Sequence, residues 1–209
     1  MKTPLSRNND LEAGSTPLLY PSMTENPERR WAFIRKVYAI LAFQLLLTIP
    51  VAATAFLNPG IAVFLVETWL GWFLKHTIII TSVSGKVVLE AAILTVAIFL
   101  SLTLYTFWAA RRGHDFNFLG PFLFASLLTL VVFGVIQIFL PLGKISHMIY
   151  GIVGILVFCG YIVYDTDELI KRYQYDEYIL AAIDLYLDLL NLFLKILEVM
   201  KDAESSDDA

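Results

Sequence analysis

One cysteine and three histidines leave this chain of 209 residues with little soft-ligand chemistry. Cys159 stands in an apolar run and cannot close an internal disulfide, so it reads as a small buried thiol. His76, His114 and His147 lie far apart and share no ligand spacing with a cysteine or with one another, which excludes the usual metal-enzyme signatures. Charge is scarce as well. Only 16% of residues are charged, and fifteen Lys+Arg against nineteen Asp+Glu leave a net charge of -4. With no dense basic patch, nucleic acid is not an expected partner. Residues 1–30 contain no apolar stretch comparable to a secretory leader and read as a flexible cytosolic tail, retained in the mature protein. Within that tail, PLLYPSM (Pro17 to Met23) is either a short recognition motif or the kind of small apolar patch that tails commonly carry.

Apolar residues, by contrast, dominate. They make up 58% of the chain, against about 45–50% in soluble domains, and mean hydropathy is +0.70. The expected fold class is all-α, a multi-pass transmembrane helix bundle. A crossing helix needs about 20 apolar residues, and five clear spans meet this: Trp31 to Leu57, Ser84 to Ala110, Phe118 to Leu140, Ile145 to Tyr164, and Tyr178 to Met200. Ile61 to Val83 is broken by Glu67, Lys75 and His76 and contains Trp69 and Trp72, which look like interfacial anchors, so it reads as a non-crossing or interfacial piece. Arg29, Arg30, Arg35 and Lys36 set the amino end in the cytosol. Crossing at the five spans then puts the Arg111-Arg112 and Lys171-Arg172 loops in the cytosol and Lys144 alone outside. Residues 31–200 form one bundle domain, and the acidic carboxyl tail, residues 201–209, is expected to be disordered.

Carboxylates are rare and expensive inside a bilayer, and two of them need an explanation. Asp165 lies near the end of the fourth span and Asp188 well inside the fifth, and a hairpin folded about the intervening linker brings them to a similar depth. In the fifth span Asp184, Asp188, Asn191, Lys195 and Glu198 recur at spacings of four, three, four and three, which puts them on one helical face. Such a helix either lies flat at the interface or stands in a bundle with its stripe turned inward. The largely acidic stripe favours the bundle. Two carboxyls brought together there share a proton, and they also offer oxygen ligands to a hard cation such as Ca²⁺. Glu90, Asp184 and Asn191 are the candidate supporting groups. The plainer alternative has Asp165 and Asp167 capping a helix end beside Lys171-Arg172, with Asp188 tied to a polar neighbour. An enzyme is not expected: Asp188 is flanked by Leu187 and Leu189, without the glycine that an intramembrane aspartyl protease places before its second aspartate.

SGKVVLEAAILT (Ser84 to Thr95), YTFWAARRGHDFNFLGPFLF (Tyr105 to Phe124), FCGYIVYDTDELIKRY (Phe158 to Tyr173) and LYLDLLNLFL (Leu185 to Leu194) together resemble the Bax inhibitor superfamily, in its Lifeguard branch of plant type. The resemblance runs from Asn26 to Met200. It implies an integral protein of the endoplasmic reticulum or Golgi, or else of the plasma membrane or vacuole, that restrains cell death and leaks Ca²⁺ from internal stores. By motif position it implies Asp165 and Asp188 as the pH-sensing pair, with Ca²⁺ as the transported or bound ion and no resident cofactor. The implied partners are the bilayer and membrane or cell-death regulatory proteins; a non-conducting adaptor in stress or cell-death signalling is the alternative. Family members carry seven helices, and the second and third have no counterpart between the first span and the SGKVVLEAA block. The basic residue that bridges to the paired aspartates lies on one of the absent helices.

Overall fold

The computed structural model describes residues 17–57, 85–140 and 143–207. Five helices and no strands occur among them: α1 (Pro27–Leu57), α2 (Gly85–Arg111), α3 (Leu119–Phe139), α4 (Lys144–Lys171) and α5 (Tyr178–Asp207). Ile61 to Val83, with Glu67, Trp69, Trp72, Lys75 and His76, lies outside the described residues, as do residues 1–16. The first four helices each contain a stretch long and apolar enough to cross a membrane: Pro27–Thr48, Gly85–Arg111, Leu119–Gln137 and Ile145–Lys171. The bundle is that of a multi-pass membrane protein. The expectation of five clear spans needs one refinement. α5 has 30 residues, ample length for a crossing, but its polar stripe takes it out of the apolar class.

α5 compensates by position. It packs most extensively on α4 and also against α1 and α2, while α3 leans on α4 from the side. Ile162, Leu169 and Ile170 of α4 and Leu185, Leu192 and Leu197 of α5 are completely buried between these helices. Leu104, Phe122, Phe139 and Leu156 point outward, as lipid-facing residues should. Lipid is as apolar as leucine, so close packing must supply the attraction between helices, and small residues permit it. A Cβ added at Gly151 would lie 2.5 Å from Val199 Cγ2, and one at Gly160 would lie 2.7 Å from Leu123 Cδ2. At Gly154 the obstacle is the flexible Lys195 stem, 2.9 Å away at Cδ. Gly151→Leu is therefore expected to lower the thermal midpoint in detergent, with overpacking of about 1–3 kcal/mol, and Gly154→Ala to cost less.

Two expectations about the ends are corrected. Residues 17–26, read as part of a flexible tail, fold back on the bundle, with Leu19 1% and Met23 9% exposed inside the core. Within PLLYPSM, Leu19 and Met23 thus pack inside the protein while Leu18 stays exposed. Asn26 then caps α1, its Oδ1 accepting the Glu28 N–H at 2.9 Å, and Pro27 opens the helix, where a missing N–H costs nothing. At the other terminus α5 does not stop at Met200 in favour of a disordered tail but continues to Asp207. Side-chain contacts hold this last stretch: His147 lies 3.3 Å from Glu198 and 3.1 Å from Asp202, and Lys195 lies 2.7 Å from Glu198.

The pieces predicted to be cytosolic gather at one end. Arg172 meets Asp115 at 2.5 Å, Pro21 lies against Gly113, and Arg30 donates to the Tyr173 carbonyl at 2.7 Å. His147, Glu198 and Asp202 mark the opposite end.

Candidate functional site

Asp165 of α4 and Asp188 of α5 meet across the main helix contact with their carboxyls within hydrogen-bond reach. Asp188 is 7% exposed and Asp165 is half-buried. The helical hairpin explains the meeting: α4 and α5 run antiparallel about the short Arg172 to Glu177 link, so residues at matching depth become neighbours. Among the described residues no Lys, Arg or His forms an ion pair with either acid, and Asp188 Oδ2 receives no hydrogen bond from the protein. Two ionised carboxylates present only acceptors to each other. A proton held between them, or a cation against both, turns that opposition into a bond.

Asp184 stands one turn before Asp188 and close to both acids. It accepts a hydrogen bond from the Tyr173 hydroxyl at 2.5 Å. Tyr161 also lies beside the pair. Sequence spacing picked out the acids but missed both tyrosines, since an aromatic in a loop or an apolar run carries no periodic signal. The remaining candidates go elsewhere. Asn191 turns its amide back to the Leu187 carbonyl at 2.8 Å. Glu90, expected to support the pair, is exposed at the start of α2 with Lys86 at 3.7 Å, because it sits only one turn inside the helix.

Asp167 separates cleanly from Asp165. It is fully buried, lies 2.5 Å from Lys171 and accepts the Phe116 N–H at 3.2 Å, so it fastens the α2–α3 loop to the end of α4. Asp167 therefore belongs to the loop junction beside Lys171-Arg172, and Asp165 does not. No group of three or more His, Cys, Asp or Glu side chains suited to a metal ion occurs among the described residues.

Asp115 completes the loop junction. The Asn117 N–H, assisted by Arg172 and Lys171 against the opposing effect of burial, holds its carboxyl at about 2, below the ordinary 3.8. Its contribution to stability is complete above the unfolded value and disappears as pH falls toward about 2. Asp115→Asn is expected to remove a small part of the acid destabilisation between those values, seen as a flatter plot of thermal midpoint against pH. The effect is small because Asp115 is 58% exposed.

Long apolar helices around a charged, inward-turned hairpin define an integral membrane protein whose interior carries an ionisable pair. The family described as Inhibitor of apoptosis-promoting Bax1 matches residues 60–205. This chain belongs to the Bax inhibitor family. It is 51% identical over 239 residues to Protein LIFEGUARD 4 of Arabidopsis thaliana, covering 95% of this chain and 97% of that one. Bax inhibitor 1 of Schizosaccharomyces pombe is 32% identical over 213 residues, covering 85% and 79%. The Golgi anti-apoptotic protein of Vaccinia virus (strain Lister) is 35% identical over 207 residues, covering 82% and 86%. The alignment with LIFEGUARD 4 extends over 239 positions, more than the 209 residues present here, so that relative has residues with no counterpart in this chain.

Proposed function

We propose that this protein is a pH-sensitive Ca²⁺ leak of an internal membrane and a negative regulator of cell death. The observation that carries the reading is the Asp165–Asp188 contact, two acids in a bundle interior with no cationic partner among the described residues. With one proton bound, the pair ties α4 to α5. When that proton leaves, like charges at close range push the hairpin apart and draw in water, and the exposed carboxylates attract a hard cation. Protonation and cation entry are thereby opposed at one site. The names of relatives supply the biological half, since one is a Bax inhibitor and another a Golgi anti-apoptotic protein. The Golgi in the second name supports an endomembrane location, in the endoplasmic reticulum or Golgi, over the plasma membrane or vacuole.

Purified protein in Ca²⁺-loaded liposomes is expected to release Ca²⁺ faster than protein-free vesicles, at a rate that changes with pH. Expression in cells given a death stimulus is expected to improve survival. The second reading is a non-conducting adaptor that acts through membrane or cell-death regulatory proteins. It is favoured by the residues that LIFEGUARD 4 has and this chain lacks. Absence of efflux at every pH from correctly folded protein, with survival still improved, would select the adaptor.

A further inference from the structure

The amino-terminal segment makes contacts that neither a tail nor a lipid-facing surface requires. Arg30 is 3% exposed at the start of α1. One side of its guanidinium takes both Glu25 carboxylate oxygens at 2.7 and 2.8 Å, and the other donates to the Tyr173 carbonyl at 2.7 Å. The group is held over the rings of Tyr175 and Phe33, at 5.0 and 5.6 Å from their centroids. Tyr175 closes the circuit by donating its hydroxyl to Glu25. Ahead of this knot, Leu19 and Met23 join the same buried cluster as Ile170, Ala181 and Leu185. Pro21 rests near Gly113, so the segment touches both the α2–α3 and the α4–α5 loops.

From these contacts we infer that residues 17–26 are a strap that closes the cytosolic end of the bundle over the acid pair, with Glu25, Arg30 and Tyr175 as its latch. The connection inward is short. Arg30 holds the Tyr173 backbone, and the Tyr173 hydroxyl holds Asp184, the acid beside Asp165 and Asp188. A planar guanidinium suits the role because its two terminal nitrogens reach a carboxylate and a carbonyl at once while its face stacks on aromatic rings. With the latch formed, the end of the hairpin is roofed by Leu19 and Met23. Once it is released, those two side chains leave, the Tyr173 loop loses its anchor, and water reaches the first turns of α5. The claim concerns access alone and stands whether or not the protein conducts ions.

Thiol accessibility tests it on the full chain in nanodiscs, which expose both ends to reagent. In a Cys159→Ser background, Ala181→Cys places a thiol under the roof at a position only 1% exposed, and Thr95→Cys places a control in the far half of α2. Arg30→Gln and Leu19→Ser are each expected to speed labelling at position 181 by an order of magnitude, roughly the change that local opening produces, while position 95 stays slow. Arg30→Lys should fall between. A variant in which both thiols react fast has unfolded, and the comparison then rests on Glu25→Gln, which preserves side-chain size. Equal protection of position 181 in Glu25→Gln and its parent overturns the strap, as does equal protection in Arg30→Gln with position 95 still slow.

Discussion

Arg30→Ala is expected to lower the thermal midpoint of the detergent-solubilised protein markedly, with a cost of about 3 kcal/mol. Removing one partner of a buried ion pair costs more than the pair is worth intact, because the other partner keeps its desolvation without its compensation. Here three groups are stranded: the Glu25 carboxylate, the Tyr173 carbonyl and the stacked face of Tyr175. Glu25 remains 33% exposed, which puts the cost at the low end of the range for buried pairs. The same substitution changes the response to acid. Burial pushes the Glu25 carboxyl up, but the Tyr175 hydroxyl and the Arg30 guanidinium outweigh it and hold the group below its ordinary 4.5. Its stabilisation is therefore present above that value and fades as pH falls below it. Arg30→Ala should weaken that dependence, and Arg30→Lys should retain part of the stability while losing the second nitrogen, which lets arginine hold Glu25 and the Tyr173 carbonyl together. Circular dichroism melts over a pH series read both effects.

The acid pair should show the opposite sign. Asp188→Asn places an amide against Asp165, and an amide donates to a carboxylate without borrowing a proton. The substitution is thus expected to raise the thermal midpoint, and Asp165→Asn to do likewise. Once the first asparagine has removed the clash of like groups, the second has nothing left to relieve. The double variant should gain less than the two single gains combined, with a coupling of about 0.5–3 kcal/mol in a double-mutant cycle. Additive gains would mean that the two acids do not act on each other. Asp188→Leu makes a useful contrast, because it removes the donor and leaves Asp165 facing a hydrocarbon wall.

Much of this was legible in the chain because membrane helices obey a severe rule: backbone groups must be satisfied internally, so long apolar runs become helices and little else. α2, α3 and most of α4 follow from that rule directly. The acid pair was legible for the converse reason, since Asp165 and Asp188 break the apolar pattern at depths that a hairpin matches. α5 was harder. Its stripe showed which face turns inward, but the count of spans treated it as equal to the others, whereas it owes its place to burial against α1, α2 and α4. The strap was missed because its evidence is tertiary. Leu19 and Met23 are isolated in a polar stretch, and neither propensity nor period links them to Ile170 or Ala181. The extension of α5 beyond Met200 was hidden in the same way, since the contact between Asp202 and His147, near the start of α4, is tertiary.

The central claim is that Asp165 and Asp188 together set the pH response of a Ca²⁺ leak, and its most direct test is Ca²⁺ efflux from proteoliposomes across a pH series, wild type beside Asp165→Asn and Asp188→Asn. A wild-type rate that varies with pH, and a flat or abolished response in each variant, is the predicted result; an unchanged pH-dependent efflux in both variants would contradict it.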